Sequence, residues 1–498
     1  MKKKRVHGFL LMGAVLLAQM GSGSGAAQDV CAEELVVEVF SSAANDGNSV
    51  SDLEVEVSGA AADSFEVSGI VVEVSSVADA GTGVGSATET DGGAGAGSVS
   101  DAVCGVAPAE PMEILVDGNN WLGNRLMAEL AEDGENVFIS PYSIASALSM
   151  LRHCSEEGDQ IEELISLLAY DALTEDEILM AQAELLVQLR PDYGMDWMTQ
   201  EEKEWSGIGT LEIANAIYVD DQLPLLSDFE IFKALLSGYE AKVAFRPLET
   251  VETMNEINDW VNEKTHEMIP SLFEEPLSTD DVMVLLNAVY FLGSWESAFP
   301  EQNTDVQTFH GLHGNSQVSM MHQTCDYRYA ETDSYQMVQI PYSSRYQMTV
   351  YLPKEISETE NWTDAEYLQK LTGQEYSWEQ AEVTLSMPKF ELAYEAELVP
   401  ELEAFGLEAI FEKRVYDRIS IEPMYMSRMI HKTAISNNET GTEAAAVTAI
   451  VMTNESAMIL NRTAEMTIDR PFYFTITHEG TGTNLFEGCV FDLEGQEK

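Results

Sequence analysis

The sequence predicts a mixed α+β domain behind an acidic, low-complexity N-terminal segment. Two observations predict the domain. From Glu113 onward helical periodicity comes first, and from about residue 280 alternating or continuous apolar strand patterns take over. The two are not interleaved as repeated βαβ units would be, which favours α+β over a parallel doubly wound sheet.

The elements follow in order. Asn119–Leu130 spaces its apolar residues helically, with Asn119 or Asn120 available to cap it. Ser140-Pro141 starts a second helix, since proline suits the first turn, and its body Ser143–Leu151 is rich in small residues. Gln160–Ala169 and Glu175–Leu189 continue the helical pattern. Leu211–Val219 alternates as a strand, and Thr253–Thr265 is an amphipathic helix ending near Pro270. Val282–Leu292 is almost continuously apolar, as a strand buried on both faces should be. Met337–Tyr342, Tyr346–Leu352, Val383–Phe390, Phe472–Thr477 and Leu485–Val490 read as further strands.

Charge and composition exclude several functions. The 498 residues carry 25 Lys and Arg against 86 Asp and Glu, a formal charge of -61. Nucleic acid, heparin and anionic lipid all require the opposite sign. No apolar run approaches the roughly 18 residues of a spanning helix. Lys2–Arg5, the apolar Gly8–Met20 and the small residues Gly25-Ala26-Ala27 form a secretory signal over residues 1–27. Residues 28–112 hold 16 Asp and Glu and no Lys or Arg. We read them as a solvated acidic spacer. Their short alternating runs Glu34–Phe40, Leu53–Val57 and Gly69–Val74 leave a small sheet module as the alternative. Cys31 and Cys104 flank the spacer and could pair after export or remain free thiols. Residues 113–498 carry 21 Lys and Arg against 70 Asp and Glu, a charge of -49, and are long enough for a substantial core. The eight His show no metal-ligand spacing. No Gly-x-Ser-x-Gly elbow occurs, so neither a metal, a cofactor nor catalysis is expected.

Several motifs then fall in a recognisable order. Asn136–Leu148, Leu211–Phe229, Asn255–Leu272, Leu286–Phe299, Val318–Gln323, Ile340–Tyr342, Val350–Lys354, Ser386–Phe390, Asp469–Phe474 and above all His431–Thr448 (HKTAISNNETGTEAAAVT) resemble the serpin family. The resemblance spans residues 113–498. It implies three β-sheets, about nine helices and an exposed reactive-centre loop over about 439–465. It also implies irreversible inhibition of a serine or cysteine endopeptidase, held as a covalent acyl complex while the cleaved loop inserts into the central sheet. A monomer without cofactor or heparin dependence is expected. A non-inhibitory carrier or binding protein is the alternative.

Individual residues carry over. Ser140, Ser143, Asn287 and His431 match positions where the family opens its central sheet, and Trp295 matches the tryptophan at the top of that sheet. The hinge is Glu439, Gly441, Thr442, Glu443, Ala444, Ala445 and Ala446. Small side chains there suit insertion, and with Thr442 inward the inward set continues Ala444, Ala446, Thr448, Ile450 and Met452. Counting sixteen residues from Glu439 puts the reactive bond at Glu455–Ser456. Counting back from Pro471 points to Leu460, and Met458 and Arg462 are further alternatives. A glycan on Asn438 would obstruct the inserting strand, which argues for a bacterial or archaeal exported protein, secreted or held at the cell surface through its N-terminal region.

Overall fold

The computed structural model describes residues 36–40, 54–58, 65–67 and 70–74, and residues 110–494 apart from 196–197, 200–207, 227–228, 230–231, 234–235, 374–375, 415 and 443–461. The signal segment, Cys31, Cys104 and the reactive bond lie outside the described residues. The chain forms two compact units, divided between Ala107 and Pro108. In the first, β1 (Val36–Phe40), β2 (Glu54–Ser58), β3 (Phe65–Val67) and β4 (Ile70–Val74) form a four-stranded sheet of order β1-β2-β4-β3. The three alternating runs of the acidic segment supply β1, β2 and β4.

The second unit opens with α1 (Pro111–Leu130), which starts at Pro111 rather than Asn119. Proline takes the first turn, and the Glu113 carboxylate accepts from the Glu110 N–H at 3.3 Å, so the helix is capped before its apolar periodicity becomes obvious. A short β5 (Val137–Ile139) leads into α2 (Pro141–Leu151), in which every residue is buried. Such a helix has no solvent face, and Ser143, Ser146 and Ser149 must find partners inside the protein. α3 (Asp159–Leu167) and α4 (Glu175–Gln188) follow, the latter capped reciprocally by Thr174 and Glu177.

A six-stranded sheet has the order β14-β15-β16-β8-β6-β7. Its members are β6 (Thr210–Asp220), β7 (Lys242–Arg246), β8 (Met283–Ser294), β14 (Phe390–Glu397), β15 (Met426–Asn437) and the two-residue β16 (Gly441–Thr442). β8 is buried along nearly its whole length, as its apolar run predicts. One face of this sheet packs against α2, and α5 (Val251–Lys264) covers the other through a smaller core that includes Ile257, Leu272, Phe273, Leu286 and Ile430.

A nine-stranded sheet comprises β9 (Asp305–His310), β10 (Asn315–Glu331), β11 (Tyr335–Pro341), β12 (Tyr346–Pro353), β13 (Glu379–Pro388), β17 (Arg462–Thr467), β18 (Phe472–His478), β19 (Asn484–Val490) and β5. The segment Val383–Phe390, expected as one strand, is divided. It ends β13 at Pro388, and Phe390 begins β14 in the other sheet, so Lys389 marks the corner between two sheets. α6 (Ala365–Gly373) and α7 (Val399–Ala404) complete the described helices. Among the described residues no helix is long and apolar enough to cross a membrane.

Candidate functional site

The site is a seam in the six-stranded sheet. β15 and β8 pair directly and in parallel from Met426↔Met283 to Thr433↔Val289. Above that register they part, and β16 sits between them. Gly441 pairs with Ser294, and Thr442 pairs with Gly293 on one side and Asn437 on the other, antiparallel to both neighbours. A Cβ on Gly441 would lie 2.1 Å from the Gly293 carbonyl oxygen, so this close approach requires glycine. Thr442 is 1% exposed, and its hydroxyl bonds Tyr342 Oη at 2.7 Å. Of the described hinge residues, Gly441 and Thr442 are therefore already strand, and Glu439 lies in the bend before them. The far end is also corrected. The loop was expected to reach residue 465, but Arg462–Thr467 is β17, paired in parallel with β13. Arg462, at the start of β17, bonds Glu331 at 2.9 Å, lies 3.6 Å from Glu379 and stacks over Tyr329. Glu443, Ala444, Ala445, Ala446, Glu455, Ser456, Met458 and Leu460 lie outside the described residues.

Beneath the closed part of the seam lies a buried polar network. Ser140 caps α2, its side chain accepting from the Ser143 N–H at 3.3 Å. The Ser140 N–H donates to His431 Nε2 at 3.1 Å. That bond fixes the proton on Nδ1, which donates to Asn287 Oδ1 at 2.6 Å. The Asn287 amide nitrogen reaches the Ser143 carbonyl at 3.0 Å, Ser143 Oγ, and Asn215 Oδ1 at 2.6 Å. Asn215 continues to Ser146, which also receives Gln182. His431 is fully buried, and burial alone pushes its imidazole down to about 3, so it is neutral. The network ties β15, β8 and β6 to α2, and its members are small groups able to exchange partners if the strands separate.

The top of the seam is held differently. Trp295 stacks on Tyr342 with ring centroids 4.4 Å apart, and its Nε1–H donates to the Asn438 carbonyl at 3.1 Å. The backbone N–H groups of Trp295 and Phe299 donate to the carbonyls of Thr440 and Glu439 at 2.9 and 2.8 Å. The Glu439 carboxylate is gripped by Lys389 Nζ at 2.8 Å and by Thr304 Oγ1 at 2.9 Å. Burial raises its pKa, but these donors outweigh burial and hold it below the usual carboxylate range.

Of the residues singled out from sequence, Ser140, Ser143, Asn287 and His431 meet in one network, while Trp295, Glu439, Gly441 and Thr442 meet at the top. Sequence reasoning missed Asn215, Thr304, Tyr342 and Lys389. Two of these left a signal. Asn215 and Asn287 sit in Asn-Ala-Ile-Tyr and Asn-Ala-Val-Tyr, a polar residue inside two apolar strands, and they pair directly across β6 and β8. Lys389 is the lone basic residue between Lys370 and Lys413 in a strongly acidic stretch.

The six-stranded sheet thus parts above Val289 to seat β16 between β8 and β15, over a buried network of Ser140, Ser143, Asn215, Asn287 and His431. The family model described as Serpin (serine protease inhibitor) matches residues 117–493, and the chain belongs to the serpin family. It is 32% identical over 390 residues to Iripin-2 of Ixodes ricinus, covering 76% of this chain and 94% of that protein. It is 31% identical over 379 residues to plasminogen activator inhibitor 1 of Sus scrofa, covering 73% and 88% respectively. The crystal structure of the thermophilic serpin tengpin in its native state, 26% identical, matches with a TM-score of 0.62 over 77% of this chain and 94% of that one. Members of the family are typically protease inhibitors.

Proposed function

We propose that the chain is an exported suicide-substrate inhibitor of serine endopeptidases, and of cysteine endopeptidases by the same chemistry. The observation that carries this reading is β16. Its two residues run antiparallel to both β8 and β15, which are parallel to each other lower down. Continuing β16 downward would replace one parallel pairing by two antiparallel ones, which are slightly more stable per residue. The residues that would follow, Glu443-Ala444-Ala445-Ala446, include small side chains at each inward position, and no proline interrupts residues 441–460.

The reaction starts when the protease nucleophile attacks the Glu455 carbonyl carbon. The Glu455–Ser456 amide breaks, the Ser456 amine leaves with a proton, and Glu455 stays esterified to the enzyme, or thioesterified to a cysteine protease. Cleavage frees the hinge side of the loop to insert. Each inserted residue gains ladder hydrogen bonds worth about 1 kcal/mol and buries apolar area at roughly 25 cal/mol per Å². The enzyme, still attached, is carried away from the geometry its deacylation requires. A Glu before the cut suits a protease whose specificity pocket supplies positive charge. The protein acts as a monomer and leaves the cell through the signal at residues 1–27.

Incubation with a panel of proteases followed by a denaturing gel tests the reading. The expected result is a covalent adduct at the summed mass, with a released C-terminal peptide beginning at Ser456 by mass spectrometry. A peptide beginning at Ile459 or Asn461 would move the reactive bond while leaving inhibition intact. Cleavage by every protease without any adduct would overturn inhibition in favour of a binding or carrier role.

A further inference from the structure

Glu439 anchors the root of the hinge through two donors that come from distant places. Thr304 immediately precedes β9, and Lys389 immediately follows β13. These two strands lie on opposite edges of β10. Asp305 pairs with Met320 on one side, and Pro388 pairs with the same Met320 on the other. Backbone pairing therefore does not join β9 to β13, yet Glu439 needs both strand ends at once.

The link that spans them is His322, two residues further along β10. Its ring is within hydrogen-bond reach of both flanking strands. Nδ1 lies 2.8 Å from Ser386 Oγ on β13, and Nε2 lies 3.2 Å from Asp305 Oδ1 at the start of β9. Gln307 Nε2 also comes within 3.2 Å of His322 Nε2, and Asn303 Nδ2 donates to the His322 carbonyl at 3.4 Å. Ser386 is 9% exposed and lies directly opposite His322 in register, three residues before Lys389. Asp305 is the next residue after Thr304. One imidazole thus cross-links the neighbours of both groups that hold the hinge carboxylate.

We propose that His322 is a positioning residue for the hinge: by bridging Asp305 and Ser386 it sets the spacing of Thr304 and Lys389 around Glu439. The carboxylate bonds are directional and short, so a shift of either strand end by a few tenths of an ångström weakens one of them. The hinge then leaves its seat more often, and the amides that donate to it, Trp295 N–H and Phe299 N–H, lose protection. The significance for inhibition rests on the function proposed above, but the arrangement itself can be tested without any protease.

The test is amide hydrogen exchange, read by mass spectrometry on the full chain for His322→Ala, Ser386→Ala, Lys389→Met and the double variant His322→Ala/Lys389→Met. We expect His322→Ala to speed exchange at residues 295–299 and 438–442 by roughly tenfold, a local opening effect. Ser386→Ala should act in the same direction, and the double variant should add little to Lys389→Met alone, because both changes work through one carboxylate. Unchanged exchange at these segments in His322→Ala would overturn the proposal. So would an even rise throughout β9, β10 and β13, which would make the histidine a general sheet stabiliser, or full additivity with Lys389→Met. Because exchange needs no enzyme, a missing protease adduct leaves this result standing, and a negative result here leaves adduct formation standing.

Discussion

His431 ties β15 to α2 through the Ser140 N–H and to β8 through Asn287. The Ser140 N–H claims Nε2, so a second proton on the imidazole would set donor against donor and break the link between α2 and β15. Its pKa is lowered from the ordinary 6.5 to about 3 by burial, so the folded state binds fewer protons than the unfolded chain between those values. Its contribution to stability is therefore complete above pH 6.5 and is lost as pH falls toward 3, at ~1.4 kcal/mol per unit. Denaturant unfolding at pH 7 and pH 4.5 should show wild type losing about 2–3 kcal/mol more on acidification than a His431→Gln variant does. Equal losses would mean that His431 does not carry this linkage. Sequence could flag His431 and Asn287 through the family motif, and the Asn-Ala-x-Tyr repeat could have flagged Asn215. Nothing local could flag Thr304, whose role depends on a partner 135 positions away.

Among the elements, the two-residue β16 matters most and was least legible. The pattern Thr442, Ala444, Ala446 gave its alternation, but not that Gly441 and Thr442 already sit between strands. That placement depends on how far β8 and β15 splay above Val289, a tertiary property. The same holds at Lys389, where one apolar run turns out to be two strands because the chain turns a corner between sheets. α1, β6, α5, β8, β12, β18 and β19 were legible because each buries a continuous face, and burial writes its period into the sequence. The close contact at Thr442 gives a sharp expectation. Thr442→Arg would force a guanidinium into a site that is 1% exposed and faces Tyr342, with no carboxylate bonded there. We expect insertion to slow and deacylation to overtake it. The number of inhibitor molecules consumed per protease trapped should then rise at least ~10-fold, the effect of about 1.4 kcal/mol on the competition. An unchanged stoichiometry would place the inward register elsewhere.

For the whole molecule, 70 carboxylates face 21 Lys and Arg in residues 113–498. Many of the cations are committed to pairs, as Lys389 is to Glu439, Arg418 to Glu175 and Lys432 to Glu395. Self-repulsion on that scale opposes folding and is relieved by salt, with a screening length of ~8 Å at physiological ionic strength. The net stability of the intact protein is therefore the remainder after a large opposing term, while below β16 the seam holds one parallel pairing where an inserted strand would make two antiparallel ones. The direct measurement is thermal unfolding of the intact protein against the same protein cut once within residues 443–461 and freed of protease. If the cut loop inserts as a continuation of β16, a strand of about ten residues should raise the midpoint by more than ~15 °C. A cut protein that unfolds at the same temperature as the intact one, or below it, would contradict insertion.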